Sequence, residues 1–403
     1  MANSLTALSP TYWSRRMGLK LYKSTLFREL ANFEEQSVLK DGQSVDRPYR
    51  ADVVVENYTK GTALTAQDLT ASSDTLTVST IKAALVYVDN IDKVQNKYSA
   101  ANAWADEIGR RLAISLDARF LYQVFSATDT IDDGDIGGTA GNGITATVNN
   151  IDDIFAAANM KLDVNNNSED SRFGAISPQF FKVLWLRVGG KQSNLGDKTS
   201  QTGMVGSYAG FKLFKSNNLT GSARWTPGDT LTPTAGETLT INGITFTWQT
   251  TIGTTAGNVL AVTNMATSID NLVALINAGG ATSDSGVSNV SLSAANQRTV
   301  QDWVAVDGTT YIEVRAMGAS YMTVSGSNVA DVWTTTQQLQ NLIFGIEKCI
   351  DVVVQKNPDV EMASTVSAGK SGMNILGLTL AGFGTFNLGK SQMFKVQLRS
   401  DAY

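Results

Sequence analysis

Gly384 to Ser391 reads GTFNLGKS, a formal match to the phosphate-cradling pattern GxxxxGK[ST]. In a working nucleotide site that loop follows a strand and opens a helix whose N-terminus meets the phosphates. Further strands then supply a magnesium-binding acid. Here about a dozen residues follow, and they read as a single strand, so no such sheet can be built. Asp163, Asn165 and Asn167 have the 1, 3, 5 spacing of a calcium loop, but the sixth position is Ser168 rather than Gly and the twelfth is Gly174 rather than Glu. Asp132, Asp133 and Asp135 cluster in a Gly-rich loop that reads equally as a solvated turn. Gly206 to Gly210, GSYAG, does not fit the GxSxG nucleophile elbow. The chain has no His, which removes Ser-His-Asp and Cys-His catalysis, His-bearing zinc sites and the usual switch near neutral pH. No catalytic residue, metal ligand or cofactor is therefore assigned, and a non-enzymatic role is expected.

Composition narrows the setting. The 403 residues can bury a large core and hold about two or three domains. One cysteine, Cys349, excludes a disulfide framework within the chain and suits a reducing compartment. No run resembles a signal peptide or a membrane span, so manufacture in a cytoplasm is expected. Net charge is −5, unevenly spread. The first 28 residues carry Arg15, Arg16, Lys20, Lys23 and Arg28 with no acid, whereas 220–335 holds three Arg, eight acids and no Lys. A basic start suits an acidic neighbour, or simply a solvated amphipathic helix.

The chain is organised around Ser99 to Ala127, which reads as one helix about 40 Å long. Trp104, Ile108, Leu112 and Leu116 form an i, i+4 stripe, with Asp106, Glu107, Arg110 and Asp117 opposite, and the end is apolar all round. Upstream, Ser9-Pro10 starts a helix whose apolar face runs to about Phe33. Ala51 to Tyr58 and Leu76 to Val88 read as β segments around a polar stretch, a long arm whose tip carries Lys60. A lone two-stranded hairpin is marginal in water and leaves its edges open, so a neighbouring chain is expected to cover it. The other option is a larger sheet within the chain.

Downstream, the pattern gives helices over Ile151 to Asp163 and Gln179 to Val188, and strands over Phe173 to Ile176 and Phe211 to Ser216. The Thr/Gly/Ser-rich stretch 220–335 reads as a compact α+β module inserted into a loop. It holds a hairpin on Asn242-Gly243, a helix over Thr267 to Ala278, and strands near Ser288–Leu292, Thr310–Ala316 and Tyr321–Val324. Leu339 to Gln355 is helix or strand, and two strands, Ile375 to Phe386 and Met393 to Arg399, close the chain.

This order resembles the major capsid proteins of tailed bacteriophages, with the Hong Kong 97-type fold. The residues that carry the resemblance are DGQSVDRP before the arm, ENYTKGTALTAQDLT along it, and VYVDNIDKVQN leading to the helix. AISLDARFL within the helix, GMVGSYAGFKLFKSNNL and GLTLAGFGTF complete the set. The resemblance implies an α+β fold with an N-terminal arm (1–47), an E-loop (48–88) and a peripheral domain with the spine helix (89–127). An axial domain (128–219, returning over 336–362) and closing peripheral strands (363–403) follow, with 220–335 as an inserted accessory domain. It further implies a shell of hexamers and pentamers enclosing double-stranded DNA, with portal and scaffolding or decoration proteins as partners, no membrane, and the virion as location. On that reading Val53, Val55, Tyr58, Lys60, Leu64, Leu69, Leu76 and Val78 of the arm serve assembly, as do Trp104, Ile108, Leu112 and Leu116. Arg15, Arg16, Lys20, Lys23 and Arg28 would face DNA or a scaffold. The Lys–Asn crosslink of some members has no recognisable pair here, and none is expected. Two competing readings are an encapsulin-type nanocompartment and a β-rich tail or receptor-binding protein.

Overall fold

The computed structural model describes residues 25–50, 53–63, 66–67, 71–95, 100–190, 206–227, 234–262, 265–282, 284, 286–308, 311–326, 333–367 and 370–400. Its centre is a helix over Ala100–Tyr122, extended by a 3-10 turn at Gln123–Ser126. Ala and Leu favour helix throughout, and no Pro interrupts it. The two halves of the helix serve two cores. Ile108 and Leu112 pack with Ile375 against Ala84, Val86 and Val88. Phe120, Leu121 and Val124 join a larger core with Phe155, Phe180, Phe211, Phe344 and Phe394.

The first core half lies on a four-stranded sheet ordered Ala31–Asn32, Ile350–Ser367, Lys370–Gly384, Thr80–Asp89. Thr80–Asp89 alternates partly buried and exposed residues, the period of a strand with one covered face. Gly377 lets the helix approach, since a methyl there would meet Ile108 Cγ2 and lie 2.9 Å from Leu112 Cδ1.

The larger core is held by a nine-stranded sheet whose axis is the strand Trp333–Ile346. It pairs antiparallel with Thr220–Pro227, Arg172–Ile176 and Met393–Arg399. Helices Ile151–Val164 and Pro178–Gly189 pack there through Ile154, Phe155, Phe180 and Leu184. The Ser177 side chain accepts from Phe180 N–H, as an N-cap before Pro should.

The stretch 220–335 leaves and returns side by side, with Thr220 opposite Asn341 and Thr226 opposite Thr335. Besides Thr220–Pro227, it contributes Ile312–Ala316 and Trp303–Asp307 to the large sheet, and it forms a four-stranded sheet containing the hairpin Thr238–Ile241 and Ile244–Gln249. Asn242 and Gly243 have φ of 47° and 78°, as the turn demands. Its buried residues, Trp248, Phe246, Leu272 and Ile276 among them, form a second cluster.

Several sequence expectations are corrected. The N-terminal helix does not reach Phe33: a short helix Phe27–Leu30 gives way to Ala31–Asn32, whose backbone pairs with Ile350 and Asp351. The hairpin strands are Ser44–Arg50 and Ala71–Thr77, paired Ser44 to Thr77 and Arg50 to Ala71. Residues 53–58 are not in a strand. Leu76 to Val88 is not one strand either, because the chain leaves the hairpin at Thr77 and enters the four-stranded sheet at Thr80. Leu339 to Gln355 is strand on both sides of a turn where Lys348 has φ 68°. Near Ser288–Leu292 there is only a single bridge, Val259 to Asn289.

Candidate assembly surface

Four segments meet at the base of the hairpin, and Arg47 joins them. Its Nη2 lies 2.5 Å from Glu35 Oε1, 3.7 Å from Glu34 Oε2 and 3.6 Å from Asp351 Oδ1. Its guanidinium stacks 4.1 Å over the centroid of Phe386. Asn32 Nδ2 donates to Asp351 Oδ1 at 2.9 Å. Burial pushes the Asp351 carboxyl up to about 6, against the pull of Arg47 and the Asn32 hydrogen bond. Leu39, Leu76, Val78, Val353 and Phe386 make a small apolar core beneath.

The other hairpin strand is pinned by Asp74. The Asn387 N–H donates to Asp74 Oδ2 at 2.6 Å, and Lys390 Nζ lies 3.3 Å from Asp74 Oδ1. The phosphate-loop lookalike thus meets a carboxylate of its own chain. It forms one short helix, Asn387–Ser391, followed by the strand Met393–Arg399. Gly389 is required by close approach, because a methyl there would collide with the Cys349 carbonyl.

Beyond this anchored base the described residues 53–63 are open. Val53, Val54, Val55 and Tyr58 are exposed, Val55 at 94%, and Lys60 is exposed as well. A side-chain bracket from Gln67 holds the segment together: its Nε2 donates to the Val54 carbonyl at 2.6 Å, and Val54 N–H donates to its Oε1 at 3.1 Å. The four-stranded sheet is open too. Ile81, Leu85, Tyr87 and Leu376 stand exposed on the face away from the long helix, and Thr80–Asp89 is its edge strand.

The structure separates the residues assigned to assembly. Val53, Val55, Tyr58 and Lys60 lie on the open segment, and Trp104 is 40% exposed at the start of the long helix. Leu76, Val78, Ile108, Leu112 and Leu116 are buried in the chain's own cores. Sequence alternation marks them as apolar but not for which partner. Leu64, Leu69, Arg15, Arg16, Lys20 and Lys23 lie outside the described residues; Arg28 is exposed.

The acidic motifs are used internally. Arg172 Nη2 contacts Asp163 Oδ1 at 2.6 Å, Asn165 donates to Asp129 Oδ2 at 2.7 Å, and Asn167 donates to the Ser391 carbonyl at 2.8 Å. Asp132 accepts from Gly134 and Gly141 N–H, Asp133 accepts from Thr139 N–H, and Asp135 pairs with Lys161 at 3.0 Å. Among the described residues, no three His, Cys, Asp or Glu side chains converge where a metal could sit. No described helix is long and apolar enough to cross a membrane.

Asp117 was placed by periodicity on the polar side of the long helix, yet it is fully buried. Its Oδ1 accepts from Leu26 and Phe27 N–H at 2.6 and 2.9 Å, and its Oδ2 accepts from Asn218 Nδ2 at 2.9 Å. It caps the helix Phe27–Leu30 from the long helix, tying the N-terminal segment to the body. An acid directly after the stripe residue Leu116, in a run with no other acid through Phe125, is the signal that could have marked it.

The architecture has close parallels among solved structures. A structure of Mycobacterium phage Che8 superposes with a TM-score of 0.56 at 12% identity, covering 96% of both chains. The capsid structure of cyanophage P-SCSP1u gives 0.51 at 15% identity, over 98% of this chain and 94% of that one. The mature capsid of bacteriophage PhiM1 gives 0.52 at 14%, over 97% and 92%. The chain has the phage capsid fold. Each alignment spans nearly the whole of this chain and of its partner. No family model and no curated protein sequence matches the chain.

Proposed function

We propose that this chain is the major capsid protein of a tailed bacteriophage, and that its copies form the hexamers and pentamers of an icosahedral head around double-stranded DNA. The observation that carries the reading is the capsid fold over nearly the whole of this chain and of its neighbours. The exposed residues Val53 to Val55 on an anchored hairpin, together with the exposed face of the four-stranded sheet, support it, because such apolar surface calls for a partner. Interfaces of obligate assemblies bury about 2,000–5,000 Å², enough to cover both.

In Hong Kong 97-type terms, we assign 1–47 to the N-terminal arm, 48–88 to the E-loop and 89–127 with 363–403 to the peripheral domain. The axial domain takes 128–219 and 336–362, and 220–335 is an accessory insertion. The role is structural rather than catalytic, and the site of action is the virion. Head assembly would proceed in the host cytoplasm with portal and scaffolding or decoration proteins. The basic residues Arg15, Arg16, Lys20, Lys23 and Arg28 are assigned to DNA or scaffold contact. Expression of the full chain, followed by sedimentation and negative-stain microscopy, tests the reading. Closed particles of uniform size that retain nucleic acid support it; particles filled with a protein cargo would move the chain to the nanocompartments.

A further inference from the structure

A cavity of about 350 Å³ opens where the long helix, the strand Thr80–Asp89 and the 302–318 region meet. Lys82, Arg111 and Arg119 line it, with Asp302 as the one carboxylate. Lys82 is paired with Asp302, and Arg111 lies 3.0 Å from Glu107. Arg119 is different. Among the described residues its guanidinium meets the thioether of Met317 at 3.3 Å and the ring of Tyr122 at 5.7 Å, and no carboxylate. Behind it, Asn218 is fully buried, with its amide nitrogen committed to the Ile114 carbonyl and Asp117 and its Oδ1 without a partner. Gly318, at φ +70°, keeps the wall open, since a side chain there would begin 2.9 Å from Asn218 Oδ1. Positive charge in excess, with forked donors free, is a receptor for a carboxylate.

The open segment supplies a matching group. Between residues 53 and 63 Glu56 is the only acid, with Val53–Val55 before it and Tyr58 after. Among the described residues no hydrogen bond or ion pair forms on Glu56, and Val53 to Lys60 are exposed. We propose that Glu56 of one copy seats in the Arg119 cavity of a second copy, with the flanking apolar residues against the apolar wall formed by Ile114 and Met317. The proposal rests on the capsid reading and names the contact through which adjacent copies recognise each other.

The test uses the full-length chain and four variants: Glu56→Gln, Glu56→Arg, Arg119→Glu and the double exchange Glu56→Arg with Arg119→Glu. Assembly is followed by sedimentation velocity, and folding of the unassembled chain by near-ultraviolet circular dichroism. Each single variant should raise the concentration needed for assembly roughly tenfold or more, the loss of one well-formed charged pair. The double exchange should restore it towards the wild-type value. Glu56→Gln changes only an exposed loop, so its result stands even if Arg119→Glu disturbs folding. Glu56→Gln assembling like the wild type overturns the proposal, and so does a folded double exchange no better than its single parents. If the wild-type chain forms no assembly, the capsid reading itself fails, and the contact with it.

Discussion

Asp351 carries the most testable chemistry at the residue scale. Its carboxyl is 5% exposed and faces Arg47, Glu34, Glu35 and Asn32. Burial raises it to about 6, above the ordinary carboxylate value, so the folded chain holds a proton there that the unfolded chain has already lost. The contribution of Asp351 to stability is therefore fully present only below the ordinary carboxylate value. It is lost as pH rises from the ordinary carboxylate range through about 6. Melting temperatures of wild type and Asp351→Asn, compared between pH 4.5 and 7.5, should diverge with rising pH in favour of the variant. Parallel curves would contradict the assignment. Asp117 is a fully buried acid that accepts from Leu26 N–H, Phe27 N–H and Asn218 Nδ2. Asp117→Ala leaves two backbone N–H groups of the short helix unsatisfied and should cost about 3 kcal/mol in denaturant titration. Glu313 is fully buried between Arg224 at 3.0 Å and Arg315 at 3.1 Å, and their charges hold its carboxyl low against the burial that would raise it. Lys395 beside them is pushed down to about 8 by burial. Glu313→Gln should destabilise by about 3 kcal/mol, because it strands two arginines. Lys395→Met should change stability little at pH 7, since relief of the burial of a cation offsets the lost attraction to Glu313 and to the Phe125 ring.

Among elements, the long helix and the strand opposite it form the unit whose geometry most depends on one small residue. Gly377→Val would force a branched side chain between Ile108 and Leu112. Overpacking of this kind costs about 1–3 kcal/mol. Its mark would be a melting temperature lowered by several degrees with the four-stranded sheet retained; an unchanged value would show that the helix does not seat there. This element was legible in the sequence because a 3.6-residue period and a 2-residue period leave different marks, and Ile108, Leu112, Val86 and Val88 follow them. The failures have physical reasons. Ala51 to Tyr58 has the composition of a strand, but β propensity expresses packing on neighbours, and none of the described residues covers 53–58. Ala31 and Asn32 have helical neighbours, yet the edge of Ile350–Ser367 takes their backbone into a sheet. Leu339 to Gln355 is buried on both faces over much of its length, so it shows no period to read. Asp117 and Asp351 were illegible as anchors because their partners lie 90 and more than 300 residues away in the chain.

At the scale of the whole molecule, the order of elements carried more information than any motif. Every chemical motif the sequence offered, from GTFNLGKS to DVNNN, is engaged with the chain's own side chains or backbone. What stays unengaged is apolar surface: Val53 to Val55, Tyr58, Ile81, Leu85 and Leu376. A chain with the capsid fold and such a surface should be incomplete alone. The direct measurement is electron microscopy beside sedimentation velocity, on the wild-type chain and on a chain lacking 53–67. The wild type should form closed shells of uniform size. The deletion should give a folded, monomeric chain, because the hairpin base is fixed by Arg47 and Asp74 and not by its tip. Wild-type and deleted chains that both remain monomers, with equal solubility, would contradict a capsid subunit built to be covered by its neighbour.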